Sequence, residues 1–277
     1  MLNNRGCDII IEDDFDLGKI SSSGQCFRSR EFPDGRFRFI AGERVLYISS
    51  LKESRHYHVS CSADEWENFW MDYFDLSRDY KSIRDSIKTQ NEFDREAVRY
   101  GSGIRILRQE PWEMLVSFII SQRKSIPAIK TAIEKLAKMA GKPIQTDCEV
   151  IYTFPSPKQL LSLSEEELAA CGLGYRSGYV RDAAERVASG ETDLADIAVY
   201  DDKGLFDELV KVRGVGKKVA NCICLFGYGR LSMVPEDVWI LRAIDEDFNG
   251  CNPFPAYGKE AGLVQQYIFY YKKHKGV

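Results

Sequence analysis

The sequence predicts an α+β fold: an N-terminal antiparallel β-sheet domain packed on a mainly helical body that contains a helix-hairpin-helix. Two observations carry this. Residues 1 to about 62 alternate apolar and polar side chains in short runs, and from Ala63 onward apolar residues recur at helical spacing to the end of the chain. Strands grouped ahead of helices, rather than interleaved with them, argue against a wound parallel sheet. The expected division is a sheet domain with flanking helices over 1–95 and a helical body over 96–277, the last helix returning to a cleft at their junction.

In the sheet region, Arg36-Phe37-Arg38-Phe39-Ile40 and Arg44-Val45-Leu46-Tyr47-Ile48 read as strands, punctuated by turns at Pro33-Asp34-Gly35 and Ala41-Gly42-Glu43. Ahead of them lies Ser21-Ser22-Ser23-Gly24-Gln25-Cys26-Phe27-Arg28, in which Gly24 taken alone is an ordinary turn glycine. The helical pattern opens with Trp66, Phe69, Trp70 and Tyr73. A stronger helix begins at Glu110-Pro111, with proline at its first position and Met114, Leu115, Phe118 and Ile119 on one face. It stops at the polar break Ser121-Gln122-Arg123-Lys124-Ser125, before a helix from Ile126 to Ala140. Gly172-Leu173-Gly174-Tyr175-Arg176 is a second glycine-framed turn, where Tyr175 by itself reads as a packing residue at a helix end.

The least ordinary stretch runs from Lys211 to Ile244. Arg213-Gly214-Val215-Gly216 separates two helical patterns, Leu205, Leu209 and Val212 before it and Val219, Cys222, Ile223 and Phe226 after it, which defines the helix-hairpin-helix. Gly214 and Gly216 let the backbone turn tightly and bring N–H groups at a helix N-terminus against an anion such as a phosphate. At 100° per residue, Lys217 projects about 170° from the centre of the apolar stripe and Lys218 about 90°. Lys218 is therefore the lysine that can look into a cleft, and the positive end of the helix dipole favours its free, nucleophilic amine. A solvated or phosphate-binding lysine is the plainer alternative. Nineteen residues on, Asp237 precedes the helix Val238 to Ile244, where an aspartate caps free N–H groups and can still face a developing positive charge. In the C-terminal helix, roughly Lys259 to Tyr271, Gln265 and Phe269 share a face at i, i+4, so an amide and a ring can grip one flat heterocycle. Packing of Phe269 into the core is the alternative there.

Composition narrows the class. No apolar run is long enough to span a membrane, and the polar beginning of the chain does not read as a secretory signal. Eight cysteines without paired spacing suggest reduced thiols, and neither a metal nor a cofactor is expected. The net charge of −4 excludes a protein that coats nucleic acid, so any such contact has to be a local patch. Arg123-Lys124, Lys211 to Lys218, Arg230 and Lys272-Lys273-Lys275 are the candidates, with a solvated face as the plainer reading of the last.

VRGVGKKVANCICLF followed by VPEDV resembles the helix-hairpin-helix, glycine-proline-aspartate superfamily of DNA glycosylases, and Lys218 followed by Val-Ala-Asn-Cys-Ile-Cys is most similar to its 8-oxoguanine DNA glycosylases. Five separated segments match in the family's order. The resemblance implies a base-excision repair enzyme that removes 8-oxoguanine through a lysine Schiff base and nicks the strand by β-elimination. Lys218 stands at the Schiff-base lysine and Asp237 at the catalytic aspartate. Gly24 would offer its carbonyl to the hydrogen on N7 of the oxidised base, Gln265 would read the Watson–Crick edge, and Phe269 and Cys222 would enclose the base. Arg123, Tyr175 and Arg176 would fill the gap in the duplex and touch the opposite base, and Gly214, Gly216, Lys217 and Trp239 would meet the backbone.

The implied partner is double-stranded DNA containing oxidised guanine, bound by a monomer in the nucleoid or nucleus. Four positions depart from the animal enzymes: Arg123 replaces an asparagine, Ala128 an arginine and Trp239 a phosphate-binding histidine, while Glu236 adds an acid beside Asp237. A water-using alkylated-base glycosylase of the same superfamily and a catalytically silent damage-binding module are the alternatives.

Overall fold

The computed structural model describes residues 6–276; the first five residues and Val277, the outermost ends of the two expected domains, lie outside the described residues. Strands β1 (Cys7–Ile10), β2 (Arg30–Glu31), β3 (Phe37–Ala41), β4 (Arg44–Ser50) and β5 (His56–Val59) form one antiparallel sheet in the order β1-β5-β4-β3-β2. The β3–β4 hairpin pairs Ala41 with Arg44 around Gly42, whose positive φ of 60° suits the tight turn. Between β1 and β2 lies the short helix α1 (Leu17–Ser22), capped by Asp16. Leu46 and Ile48 of β4 point inward, as the alternation predicts.

The covering layer is α2 (Ala63–Glu65) and α3 (Met71–Tyr73), joined by a π-helical turn over Trp66–Trp70. Regular helical spacing does not anticipate that turn. It carries an i to i+5 bond from the Met71 N–H to the Trp66 carbonyl and keeps both large indoles buried against the sheet. Phe74, just beyond, meets Phe39 edge to face at 5.1 Å.

The body comprises α4 (Tyr80–Ser86), α5 (Glu92–Tyr100), α6 (Pro111–Ser121), α7 (Ile126–Ala140), α8 (Pro157–Leu161), α9 (Glu165–Ala170), α10 (Ser177–Ser189), α11 (Asp202–Leu209), α12 (Lys217–Tyr228), α13 (Val238–Asp247) and α14 (Ala261–Lys275). The expectation of helix from Ala63 to the end is corrected at one place, a hairpin of β6 (Pro143–Gln145) and β7 (Val150–Tyr152). Three-residue strands are too short to show an alternation, although Val150-Ile151-Tyr152 has the β-branched and aromatic composition of one. Position 95/96, the expected division, falls inside α5. None of the eight cysteines is paired, and no helix among the described residues is long and apolar enough to cross a membrane.

Sheet and body are joined by buried polar side chains whose bonding is nearly complete. Gln25, fully buried, donates to Ser23 Oγ (2.9 Å) and the Arg105 carbonyl (2.8 Å), and its Oε1 accepts from the Leu107 N–H (2.8 Å). Arg105, equally buried, donates to the carbonyls of Phe74, Asp14, Asp75 and Arg78 and to Asp13 Oδ2. Arg28 reaches Glu134 at 3.0 Å and the Tyr152 carbonyl. Near it, Glu113 lies 7 % exposed in the first turn of α6. Burial pushes its carboxyl up to about 7, against the pull of Arg28 and with the neighbouring Glu134 and Glu110 adding to the rise.

Glu113 therefore makes a pH-dependent contribution to stability. The folded state holds its proton up to about 7, whereas the unfolded chain releases it near the ordinary 4.5. The contribution is fully present below pH 4.5 and is lost as pH rises to 7, with a slope of at most about 1.4 kcal/mol per pH unit. Glu113→Gln, a neutral isostere, should flatten this part of the profile and gain relative stability at pH 8. Denaturant unfolding of both chains from pH 5 to 8 measures the difference, which should grow with pH.

Candidate active site

Lys218 occupies the first turn of α12, with Gly216 as the residue capping that helix. The helix packs along α6 through Phe226 and Phe118, whose rings stack at 5.6 Å. The two lysines part as the helical wheel requires. Lys217 is exposed and pairs with Glu236 (2.9 Å), whereas half-buried Lys218 holds its ammonium 5.3 Å from the centre of the Phe118 ring. One turn on, Cys222 is buried. Its thiol is pushed up by burial, with the charge and hydrogen bond of Lys218 pulling the other way.

Asp237 caps α13, its Oδ1 accepting from the N–H groups of Trp239 and Ile240 at 3.0 Å each. Burial raises its carboxyl above the usual range, while the Ile240 bond, nearby Lys218, the Trp239 bond and Lys273 favour the ionised form. The loop leading to it is held by α12, because Asn221 Nδ2 donates to the Val234 carbonyl (2.7 Å). It is held by α14 as well, where the Gly262 N–H reaches the Leu231 carbonyl (2.6 Å) and a Cβ at that glycine would meet the Met233 carbonyl oxygen at 2.3 Å. The sequence spacing pointed to Asp237, but not to these two clamps, which look like packing residues until the fold brings them together.

Helix α14 carries Gln265 and Phe269. Gln265 is 3 % exposed and its Oε1 has no hydrogen-bond partner among the described residues. Phe269 packs in a buried cluster with Ile240, Phe254 and Tyr257, so the core role left open for it is real, and its edge also faces Gly24. Gly24 has φ of +80°, and a Cβ there would lie 3.2 Å from the Phe269 ring and 3.3 Å from Ile126. The carbonyls around it are taken: that of Ser23 by Gln266 Nε2 (2.5 Å), that of Gln25 by Gln109 Nε2 (2.9 Å) and that of Cys26 by Ser29 Oγ (3.4 Å). Among the described residues no donor reaches the Gly24 carbonyl.

The loop after α6 and the two glycine turns share one face. Arg123 is exposed and takes φ of +52°, a left-handed conformation that asparagine tolerates better than arginine. Gln122 ties this loop to the hairpin through the Gly214 carbonyl (2.9 Å), and Lys124 ties it to the Gly172 carbonyl (2.8 Å). Arg176 is buried, donating to the carbonyls of Leu173 and Gln122, with its guanidinium 4.4 Å from the ring of exposed Tyr175. At Gly214, φ is +85° and a Cβ would collide with Tyr179 at 2.5 Å; at Gly216 the space is open, so the backbone there can be approached from outside. Trp239 is half-buried, with Arg242 5.3 Å from its ring. Two surface hollows of about 770 and 1230 Å³ lie elsewhere, beside Trp112 and along the sheet at Tyr47, and neither is lined by Lys218, Asp237 or Phe269.

The arrangement thus brings an amine near a thiol and a carboxylate, and an unfilled backbone acceptor against an aromatic ring, with a buried amide one turn away from that ring. An amine beside a carboxylate can attack a carbon that carries developing positive charge, and the acceptor and amide can read the edge of a planar ring. Comparison with known proteins shows which family the whole chain resembles. Residues 9–115 match the model of the 8-oxoguanine DNA glycosylase N-terminal domain, and residues 116–259 match that of the HhH-GPD superfamily base excision DNA repair proteins. The structure of MBOgg1 in complex with a low affinity DNA ligand superposes with a TM-score of 0.92 at 37% identity, over 99% of this chain and 97% of that one. The Clostridium acetobutylicum 8-oxoguanine glycosylase/lyase, in complex with double-stranded DNA containing cytosine opposite 8-oxoguanine, gives 0.89 at 31% identity over 98% and 99%. A probable N-glycosylase/DNA lyase of Methanothermobacter thermautotrophicus is 28% identical over 234 residues, 74% of each chain.

Proposed function

The chain belongs to the 8-oxoguanine DNA glycosylases of the HhH-GPD superfamily, and from that premise we propose how its cleft carries out excision. The enzyme is a base-excision repair N-glycosylase and DNA lyase acting on 8-oxoguanine. The oxidised purine leaves the duplex at a cost of a few kcal/mol of unstacking and enters the cleft between Cys222 and Phe269. Its N7–H donates to the Gly24 carbonyl, the one feature of the base edge that an undamaged guanine lacks at that position. Gln265 takes N–H donors of the Watson–Crick edge on its buried oxygen, which otherwise costs the fold an unsatisfied acceptor. Lys218 attacks the anomeric carbon, the base departs, and the Schiff base so formed undergoes β-elimination. Asp237, fixed as a helix cap, stabilises the positive charge that develops on the sugar. The observation that carries this reading is the Gly24 carbonyl, left free while the carbonyls on either side of it are bonded.

Duplex DNA meets the face that carries the hairpin glycines, Lys217, Tyr175 and the Arg123 loop, and phosphates fit the open backbone at Gly216. Lys217 exchanges Glu236 for a phosphate when DNA binds. The protein acts as a monomer, in whichever compartment holds the DNA.

Borohydride present during turnover should give a covalent protein–DNA adduct, absent in Lys218→Gln and retained in Lys217→Gln at saturating protein. Excision that survives Lys218→Gln would instead favour the water-using glycosylase reading.

Opposite-base selectivity should be relaxed. The animal enzymes choose cytosine with an asparagine and two arginines, of which Arg176 alone has a counterpart here. Ala128 donates nothing, and Arg123 has donors but no acceptor for the cytosine amino group. Each lost base-edge contact is worth about 1–3 kcal/mol of discrimination. Single-turnover rates opposite C, T, G and A should therefore differ far less than for an enzyme that holds all three residues; a steep preference for cytosine would contradict this.

A further inference from the structure

The face of α14 that carries Gln265 and Phe269 continues, four residues on, to Lys273. Its Nζ lies 5.6 Å from the centre of the Phe269 ring and 3.5 Å from the carbonyl oxygen of Ser22, two residues before Gly24. Neighbouring cations are differently placed. Lys272 is buried between Glu246 and Asp247, at 2.8 Å from each, and Lys130 donates to the Ser29 carbonyl at 3.0 Å. Lys273 has no ion-pair partner among the described residues. Burial and the charge of Lys130 both disfavour its ammonium, and Asp237 is the group that favours it. A half-buried cation that makes no direct ion pair can donate a hydrogen bond to incoming negative charge.

The location decides which negative charge. Lys273 lies by the Phe269 ring and the Ser22 carbonyl, where the base rather than the DNA backbone is read to sit. When the bond from C1′ to N9 breaks, its electron pair passes to the purine and spreads over the ring and its carbonyl oxygens. With N7–H at the Gly24 carbonyl, the oxygens on C6 and C8 flank that contact on either side, and Lys273 is held at the Ser22 carbonyl two residues away. We propose that Lys273 is a further residue of the excision step, donating to a carbonyl oxygen of the oxidised purine and stabilising the base anion as it leaves. In this step the Lys218 nitrogen bonds to C1′, the C1′–N9 bond breaks, and the proton shed by Lys218 ends on the purine, so no oxidant or reductant is required. The inference rests on the reading of Gly24, Phe269 and Lys218 given above.

Lys273→Met and Lys273→Arg separate this role from a phosphate contact. Three measurements are compared: single-turnover excision of 8-oxoguanine opposite cytosine, strand nicking at a preformed abasic site, and binding to a duplex carrying a tetrahydrofuran abasic analogue. The last two involve no base. Lys273→Met should slow excision roughly tenfold to a thousandfold, leave nicking and binding within about twofold, and Lys273→Arg should recover most of the loss. A parallel loss in all three measurements, or unchanged excision, would overturn the proposal. Absence of excision by the unaltered chain would instead overturn the base-pocket reading on which it rests.

Discussion

Gln25, buried without access to water, uses both ends of its amide and its own carbonyl on neighbouring groups: Ser23 Oγ, the Arg105 carbonyl, the Leu107 N–H and Gln109. The bonds to Arg105, Leu107 and Gln109 cross from the segment between β1 and β2 to the strand-like crossing that leads into the helical body. A buried amide with all its partners in place tolerates no other register, because any shift leaves donors and acceptors unpaired in a dry interior. The turn at Gly24 inherits that rigidity. Its carbonyl is left without a donor while those of Ser23 and Gln25 are bonded, and a left-handed glycine lets the Phe269 ring approach it closely. Arg105 secures the other end of the same crossing through five bonds.

The second constraint is the meeting of three successive helices of the chain. Helix α12 supplies Lys218 and Cys222, α13 begins with Asp237, and α14 returns with Gln265 and Phe269. Asn221 and Gly262, neither of which faces the cleft chemistry, set the distance between them by gripping the loop that leads to Asp237. Rigid support of this kind suits a reaction that depends on an amine and a carboxylate meeting one sugar carbon. On the proposed reading an overall acidic protein acts on DNA with few, local cations: Lys217 on the hairpin, the loop lysine Lys124 beside Arg123, and Lys273 beside Phe269.

Much of this was legible in the residues. The limits of α7 at Ile126 and Ala140 and the proline-led start of α6 follow from periodicity and helix-end chemistry, as does the separation of Lys217 from Lys218. The family resemblance then singled out the remaining candidate site residues, of which Gly24 lies against Phe269 and Lys218 lies near Asp237. What escaped has physical reasons. The β6–β7 hairpin is too short for a period, and the π turn at Trp66–Trp70 depends on how two indoles fit one core. Arg105 lies in no motif, since its importance comes from carbonyls scattered over more than sixty positions. In the C-terminal run Lys272-Lys273-Lys275, charge alone suggested a solvated face, yet Lys272 is buried in a double ion pair and half-buried Lys273 lies by the Phe269 ring. Spacing from Phe269 was the signal that distinguishes Lys273.

The account stands on the oxidised base being held at Gly24 between Cys222 and Phe269 while Lys218 faces its sugar. A crystal structure of Lys218→Gln, stalled on a duplex with 8-oxoguanine opposite cytosine, tests this most directly. The account predicts the base extruded into the cleft, stacked on Phe269, with N7 at about 2.7–3.2 Å from the Gly24 carbonyl oxygen. A base lodged elsewhere, or turned so that N7 meets another acceptor and Gly24 meets none, would contradict it.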